Sequence, residues 1–367
     1  MSGPADKEAR TGYITALIKE IETEAHTYDN CEVISIFFGG GTPSSLDEGQ
    51  IESIIKTVRQ NYKLAPECEI TVECNPGTVN TAKFEEYKRA GVNRISIGLQ
   101  SANNFELKKL GRIHTVEDFE EIYKQALSNG FDNLNVDLIS GLPEQTLDDY
   151  QRTLEYVTHL DPPPKHISAY SLIVEEGTPF YEMYGAEASL KDRLPNEDDE
   201  RKMYEITDDI LSKYGYRKYE ISNYALPGYE CEHNKVYWKR GAYIGFGIGA
   251  ASLFDNRRWK NTSDIAQYCN HRFGVDALPK DEDISLSKTE QMEEYMFLGL
   301  RMTEGISVSD FEREFGVDFP REYQATVDKY AAMGLMKNTG DRVMLTKTGI
   351  SVSNVIFSDF LIDNSLN

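Results

Sequence analysis

Short β-branched runs that stop at glycine or polar residues, with helical stretches between them, dominate the first half of the chain. Val33-Ile34-Ser35-Ile36-Phe37-Phe38 runs into Gly39-Gly40-Gly41, and Glu69-Ile70-Thr71-Val72-Glu73-Cys74 into Asn75-Pro76-Gly77. Arg94-Ile95-Ser96-Ile97-Gly98-Leu99 ends at Gln100-Ser101, and Leu134-Asn135-Val136-Asp137-Leu138-Ile139 near Gly141-Leu142-Pro143. His166–Leu172 closes the series near Glu175-Glu176-Gly177. Runs of this length and composition, bounded by turn residues, predict strands. Run ends at 40, 75, 100 and 141 are separated by 35, 25 and 41 residues, the period of a strand–helix unit with a right-handed crossover. Helical patterns at 47–62, 82–90, 116–129 and 146–160 fill the gaps, with Asn129-Gly130 as a stop and Thr146-Leu147-Asp148-Asp149 as a capping start. The expected class is α/β with a parallel sheet, open or barrel-shaped, whose ligands sit at the C-terminal strand ends.

The second half changes character. Residues 186–200 are charged and read as a surface connection into a helix at 200–214, followed by a strand at 218–224. From about 285, helical patterns at 288–302, 307–315 and 320–333 lead to Leu335-Met336-Lys337 and Arg342-Val343-Met344-Leu345. That order predicts a small winged-helix-like domain. The expected division is 1–185 for the barrel core, 186–284 for an extension and 285–367 for the C-terminal domain. The 39 basic against 61 acidic residues leave a net charge of −22, which argues against nucleic acid as a partner and makes the last domain a scaffold or lid. Hydrophobic residues at 40% suffice for a sizeable core. No run approaches the roughly 20 apolar residues of a membrane span, and Met1–Asp6 carries no apolar leader. Five cysteines, 31, 68, 74, 231 and 269, form no C-x-x-C pair, so a reduced, cytoplasmic protein is expected.

The chemistry concentrates at the strand ends. Gly39-Gly40-Gly41-Thr42-Pro43 is a turn whose backbone amides can approach a carboxylate, amino group or phosphate; it is neither a Walker A loop nor G-x-G-x-x-G, and a plain tight turn is the competing reading. Glu73 and Asp137 are acidic residues inside apolar strands, and buried carboxylates need partners. Pairing with Arg94 or Arg112 is one reading; binding ligand hydroxyl or ammonium groups at the barrel mouth, with Gln100 in the same layer, is the other. Cys231-Glu232-His233-Asn234-Lys235-Val236-Tyr237-Trp238 holds one of six histidines and one of two tryptophans, suited either to a flat macrocycle or to ordinary packing. The glycine-rich stretch 243–252 reads as a strand whose backbone closely approaches a ligand or another element.

Six motifs in order, Gly39-Gly40-Gly41-Thr42-Pro43-Ser44, Glu73-Cys74-Asn75-Pro76, Ser96-Ile97-Gly98-Leu99-Gln100-Ser101, Leu110-Gly111-Arg112-Ile113-His114, Asn135–Pro143 and His233-Asn234-Lys235-Val236-Tyr237-Trp238, resemble the HemW-type heme chaperones of the radical S-adenosylmethionine (SAM) superfamily. The resemblance runs from about Gly12 to the C-terminus. It implies a partial (β/α)6 barrel with its first strand missing or displaced, followed by a helical C-terminal domain. It implies SAM as cofactor, with Gly40, Gly41 and Thr42 at its amino-acid moiety and Glu73, Gln100, Arg112 and Asp137 completing the polar shell. It implies heme handling by His233, Asn234, Tyr237 and Trp238, an apoprotein that accepts the heme, and a homodimer as one possible assembly. The related oxygen-independent coproporphyrinogen III oxidase is the enzymatic alternative, which the His-Asn-x-x-Tyr-Trp segment disfavours. A barrel enzyme using the glycine turn for phosphate is the third.

One feature departs from the family. Its members hold a [4Fe–4S] cluster on C-x-x-x-C-x-x-C, and this sequence has no such motif; its first cysteine, Cys31, follows the helical pattern Tyr13–Ala25. The expectation is that Met1 is an internal methionine of a longer reading frame; the competing expectation is a cluster-free heme or SAM binder. Cluster-dependent SAM cleavage is expected to be absent from this polypeptide, with no metal ligands of its own.

Overall fold

The computed structural model describes residues 7–362. The first strands form where the β-branched runs predict them: β1 (Glu32–Phe38), β2 (Lys63–Cys74), β3 (Arg94–Gln100), β4 (Leu134–Ser140) and β5 (His166–Ser171). Two short strands, β6 (Arg217–Lys218) and β7 (Asn223–Ala225), complete a sheet of order β1-β2-β3-β4-β5-β7-β6. Neighbours from β2 to β5 are parallel, and β7 runs antiparallel to both β5 and β6. The sheet curls into a half-barrel of the α/β class. The expected single strand at 218–224 is thus a hairpin, because residues 219–222 turn the chain before it pairs with β5. The expected cap at Thr146 is present, and Asn80 and Thr115 cap in the same way: each accepts a bond from the third backbone amide of the helix it opens. Thr115 and Thr146 form full capping boxes.

The described residues fall into two compact units. One holds Ser35–Gly49 and Glu69–Cys231; the other holds the described residues up to Ile34, Gln50–Cys68, and those from Glu232 onward. In the first, alternate strand residues Ile70, Val72, Ile95, Ile97, Val136, Leu138 and Ile167 are buried apolar side chains, joined by Phe84, Phe119, Tyr150 and Leu154 from the crossover helices. Their partners on the opposite face are polar.

In the second unit, the helices Lys7–Glu24 and Gln50–Asn61 pack together, and the Tyr62 hydroxyl donates to the Ile21 carbonyl at 3.0 Å. A three-stranded antiparallel sheet (Ala251–Phe254, Arg257–Asn261, Lys280–Ser285) precedes the C-terminal helices Lys288–Gly299, Val308–Phe315 and Phe319–Ala332. A small sheet of 306–307, 336–338 and 342–345 gives the winged-helix arrangement, with Phe311, Phe315, Phe319, Tyr323 and Phe360 as its aromatic core. The expected strand at 243–252 is instead a loop with one bridge, Tyr243 to Leu253, and regular pairing starts only at Ala251. Gly247 (φ +99°) and Gly249 (φ +64°) turn the backbone out of any ladder. The close backbone approach does occur, but to a helix: the Gly247 amide donates to Glu20 at 2.8 Å.

Glu20 is 1% exposed, and it also accepts from Asn261 at 2.7 Å and from the Tyr268 hydroxyl. Burial pushes its carboxyl up to about 7 against the pull of these three donors. A raised acid favours the folded state when neutral. Its contribution is therefore complete below the ordinary value near 4.5 and is lost as pH rises through 7. A shift of this size corresponds to something on the order of 3 kcal/mol. The thermal midpoint is expected to fall between pH 5 and pH 8, with Glu20→Gln showing a markedly flatter profile over that window. Equal slopes for the two proteins would remove Glu20 from the account.

Candidate functional site

The polar face of the half-barrel is built by register. Glu73 pairs with Ser96, Ser96 with Asn135, and Asn135 with His166; one step along, Gly98 pairs with Asp137 and Asp137 with Ser168. With side chains alternating along each strand, these residues share one face. Exposure rises toward the strand C-termini. Glu69, Arg94, Asn135 and His166 are buried at 8%, 2%, 2% and 0%, whereas Asp137 and Glu73 are partly open and Tyr170 is 41% exposed. The face is thus polar and opens toward the strand C-termini, the end where parallel α/β sheets place ligands.

At that end, β1 delivers the glycine turn. Gly40 has φ +79°, and a Cβ at Gly40 or Gly41 would meet nothing within 4 Å, so both backbones face open space. A Cβ at Gly39 would lie 3.2 Å from the Glu73 carboxyl carbon, which places that carboxylate against the turn. Asn75 donates to the Thr42 hydroxyl at 3.3 Å. Gly98 leaves room for two polar side-chain ends: a Cβ there would stand 2.6 Å from the Gln100 amide nitrogen and 3.1 Å from the Asn75 side-chain oxygen. Gln100 itself adopts φ +71° where the β3–β4 register shifts, and the bulge turns its amide back over Gly98. Thr42, Asn75, Gln100 and Glu73 therefore form one cluster.

Asp137 accepts from Asn135 at 2.7 Å and from Ser96 at 3.1 Å. Desolvation raises its carboxyl, opposed by the Asn135 and Ser96 hydrogen bonds and the Arg94 charge. Desolvation and then the Asp137 charge push Glu73 up to about 7, with Arg94 pulling it back. Arg94 is kept charged: burial opposes its charge, and Cys231, Glu69, Tyr219 and Asp137 outweigh that. The buried arginine is thus a counter-ion under the two acids, while their open sides remain for a ligand. Arg112 is exposed beyond the helix Asn104–Lys109, and its guanidinium feels the Asp137 charge.

Reasoning from sequence did not single out Asn75, Ser96, Asn135, His166 or Ser168. The available signal was a period-two polar alternation, Glu69-Thr71-Glu73, Arg94-Ser96-Gly98, Asn135-Asp137 and His166-Ser168-Tyr170, repeated on four consecutive strands.

In the other unit, His233, Asn234, Tyr237 and Trp238 lie on the short helix Glu232–Trp238, all half-buried. His233 and Tyr237 meet edge-on at 4.9 Å, and Tyr237 meets Tyr243 at 4.6 Å. The Arg301 guanidinium lies 5.2 Å from the Trp238 ring and 5.3 Å from that of Phe357. Trp238 is thereby tied to the C-terminal helices. An Arg301→Ala change is expected to destabilise this unit by about 1–2 kcal/mol through lost cation–π contact, read as a lower urea midpoint.

The cysteines do not suit an iron–sulfur cluster. Cys68, Cys74 and Cys231 are buried, Cys31 and Cys269 half-buried, and among the described residues no three His, Cys, Asp or Glu side chains stand close enough to hold a metal. Burial drives the Cys74 thiol far above its ordinary value, away from the thiolate that iron requires. No step through a cluster is derived from these residues. SAM fits better: open glycine backbone, two acids with free sides and a carboxamide match an amino acid, a cationic sulfonium and a ribose.

Comparison with known proteins agrees in two registers. Residues 6–157 match the Radical SAM superfamily and 286–352 the HemN C-terminal domain. The protein described as heme chaperone HemW in Lactococcus lactis is 36% identical over 355 residues, 96% of this chain and 90% of that protein. Its Bacillus subtilis namesake is 34% identical over 350 residues, 95% and 91% respectively. Among solved structures, the coproporphyrinogen III oxidase HemN from Escherichia coli, a radical SAM enzyme, superposes with a TM-score of 0.81 at 22% identity, covering 97% of this chain and 84% of that one; this likeness concerns the fold. Near-complete coverage at such identity, on a half-barrel with a HemN-type C-terminal domain, means that the chain belongs to the HemW family within the radical SAM superfamily.

Proposed function

We propose that this chain is a heme chaperone: it binds heme and delivers it to an acceptor apoprotein, on a half-barrel that binds SAM. The observation that carries the reading is identity of 34–36% across 95–96% of the chain to proteins described as heme chaperones. In support, the helix Glu232–Trp238 offers a half-buried imidazole, His233, beside the aromatic rings of Tyr237, Tyr243 and Trp238. Imidazole ligates heme iron, and aromatic faces stack on a porphyrin. The test is a heme titration of the whole chain. A Soret shift that saturates, and that His233→Ala weakens by about 10-fold or more, is expected. An unchanged shift in the variant removes His233 from the site. Heme passing from the loaded protein to an apoprotein in stopped-flow mixing supports delivery. Protoporphyrinogen formed from coproporphyrinogen III under anaerobic conditions would overturn the reading in favour of the oxidase.

When bound, SAM supplies an adenosyl group on a cationic sulfonium. Gly40, Gly41 and Thr42 hold its amino-acid end, and Glu73, Gln100, Arg112 and Asp137 hold the rest of its polar groups. A cation beside Glu73 favours the carboxylate, whose carboxyl otherwise sits at about 7. SAM affinity is therefore expected to rise with pH through 7, with protons released on binding near neutrality. Calorimetry in two buffers of different ionisation enthalpy reads that release; a buffer-independent heat, or affinity that falls with pH, would contradict it.

A further inference from the structure

Beneath Asp137 runs a buried chain of hydrogen bonds whose polarity is forced from one end. An ionised Asp137 only accepts, so the Asn135 amide presents its NH2 to Asp137, at 2.7 Å, and to Ser96, at 2.7 Å. Its carbonyl oxygen then faces His166, 2.6 Å from Nδ1, and accepts from Ser168 at 3.1 Å. His166 must therefore carry its proton on Nδ1, which leaves Nε2 to accept from the Tyr219 hydroxyl at 2.9 Å. That hydroxyl in turn accepts from the Cys231 amide at 3.3 Å. His166 is 0% exposed, and burial together with the neighbouring Arg94 holds the ring neutral. Every member of the chain is satisfied, and with its proton on Nδ1 the imidazole holds the amide in the orientation that the carboxylate sets. If the amide turned over, an oxygen would face the Asp137 carboxylate.

Such a network is a costly way to fill the floor of a sheet, where apolar side chains would pack as well. We infer that His166 is a positioning residue: by fixing the Asn135 amide under the Asp137 carboxylate, it sets the affinity of the half-barrel for SAM. The inference rests on the reading of Asp137 as a SAM ligand. Two donors beneath the carboxylate leave its remaining lone pairs for the open end and, with Arg94, oppose the desolvation that raises its carboxyl.

The experiment is equilibrium dialysis with radiolabelled SAM on the whole chain. His166→Leu removes the N–H that locks the amide, and affinity is expected to fall about 10-fold or more, the scale of one charge-assisted hydrogen bond. His166→Asn keeps a side-chain N–H directed at Asn135 and is expected to bind within about threefold of the parent, a rescue that volume alone does not supply. Asn135→Asp sets a second carboxylate against Asp137; its affinity is expected to be lost at pH 8 and partly regained toward pH 6, a pH profile that general loosening would not produce. Nitrogen NMR of the unliganded parent gives a reading independent of folding in the variants: a neutral Nδ1–H tautomer for His166 from pH 6 to 8 is expected. An Nε2–H tautomer, an imidazolium at pH 6, or parent-like SAM affinity in a folded His166→Leu protein each overturns the positioning role alone. Absence of SAM binding by the parent overturns the cofactor reading itself, and this role with it.

Discussion

Glu294→Ala is expected to cost about 3–5 kcal/mol of folding stability, the usual consequence of breaking a buried ion pair from one side. Glu294 sits in the helix Lys288–Gly299, with its side chain 7% exposed. One oxygen lies 3.1 Å from Arg240 Nε and the other 2.6 Å from Arg258 Nη1. The Arg240 side chain is 5% exposed and keeps Glu314, at 3.5 Å, and the Asn256 side-chain oxygen Oδ1, at 2.9 Å, when Glu294 is removed. Its guanidinium cannot shed its proton, so a buried charge is left with only the longer Glu314 contact to offset it. The loss also bears on the helix proposed to handle heme. Arg240 follows the helix of His233 by two residues, and the Gly241 amide closes that helix onto the Val236 carbonyl at 2.7 Å. Urea unfolding measures the stability term. Glu294→Gln, which keeps an acceptor but no charge, is expected to lose less than Glu294→Ala, and the paired change Arg240→Met with Glu294→Leu to recover much of the loss. A Glu294→Ala midpoint equal to the parent's would show that the pair contributes nothing.

The second large effect is on SAM. Asp137→Ala is expected to lower affinity by about 100-fold or more, since a ligand cation or hydroxyl loses a charged partner and the Asn135 and Ser96 donors lose their acceptor. Asp137→Asn preserves shape and one acceptor oxygen, so its loss isolates the charge. Heme titration of both variants is expected to match the parent, because the residues proposed to handle heme lie in the other unit. Parent-like SAM affinity in Asp137→Ala would remove the strand ends from the cofactor site; a parallel loss of heme affinity would mean that the change disturbed the fold rather than the pocket.

Much of this molecule is legible in order along the chain, and the reason is local. The β-branched runs at 33–38, 94–99 and 134–139 became strands because each carries its own stop signal, and the helices at 116–128 and 147–158 began where their threonine caps stand. Thr42, Glu73, Gln100 and Asp137 could be named as neighbours before any coordinates, because a parallel sheet brings successive strand ends to one side. Other features depend on partners distant in sequence. Glu20 and Asn261 stand 241 residues apart, and nothing local marks either as the other's hydrogen-bond partner. The glycine-rich stretch at 243–252 has a strand's spacing, yet positive φ at Gly247 and Gly249 made it a loop around that carboxylate. His166 reads as an ordinary residue at the start of a strand; only the register that seats it beside Asn135, with Asp137 one step above, gives its tautomer a consequence. The sequence by itself determined the strand–helix rhythm, the caps and the polar strand ends, since each depends on a few adjacent residues. Tertiary structure alone decided which buried donors and acceptors meet, since that is set by the sum of registers and crossovers over the whole sheet.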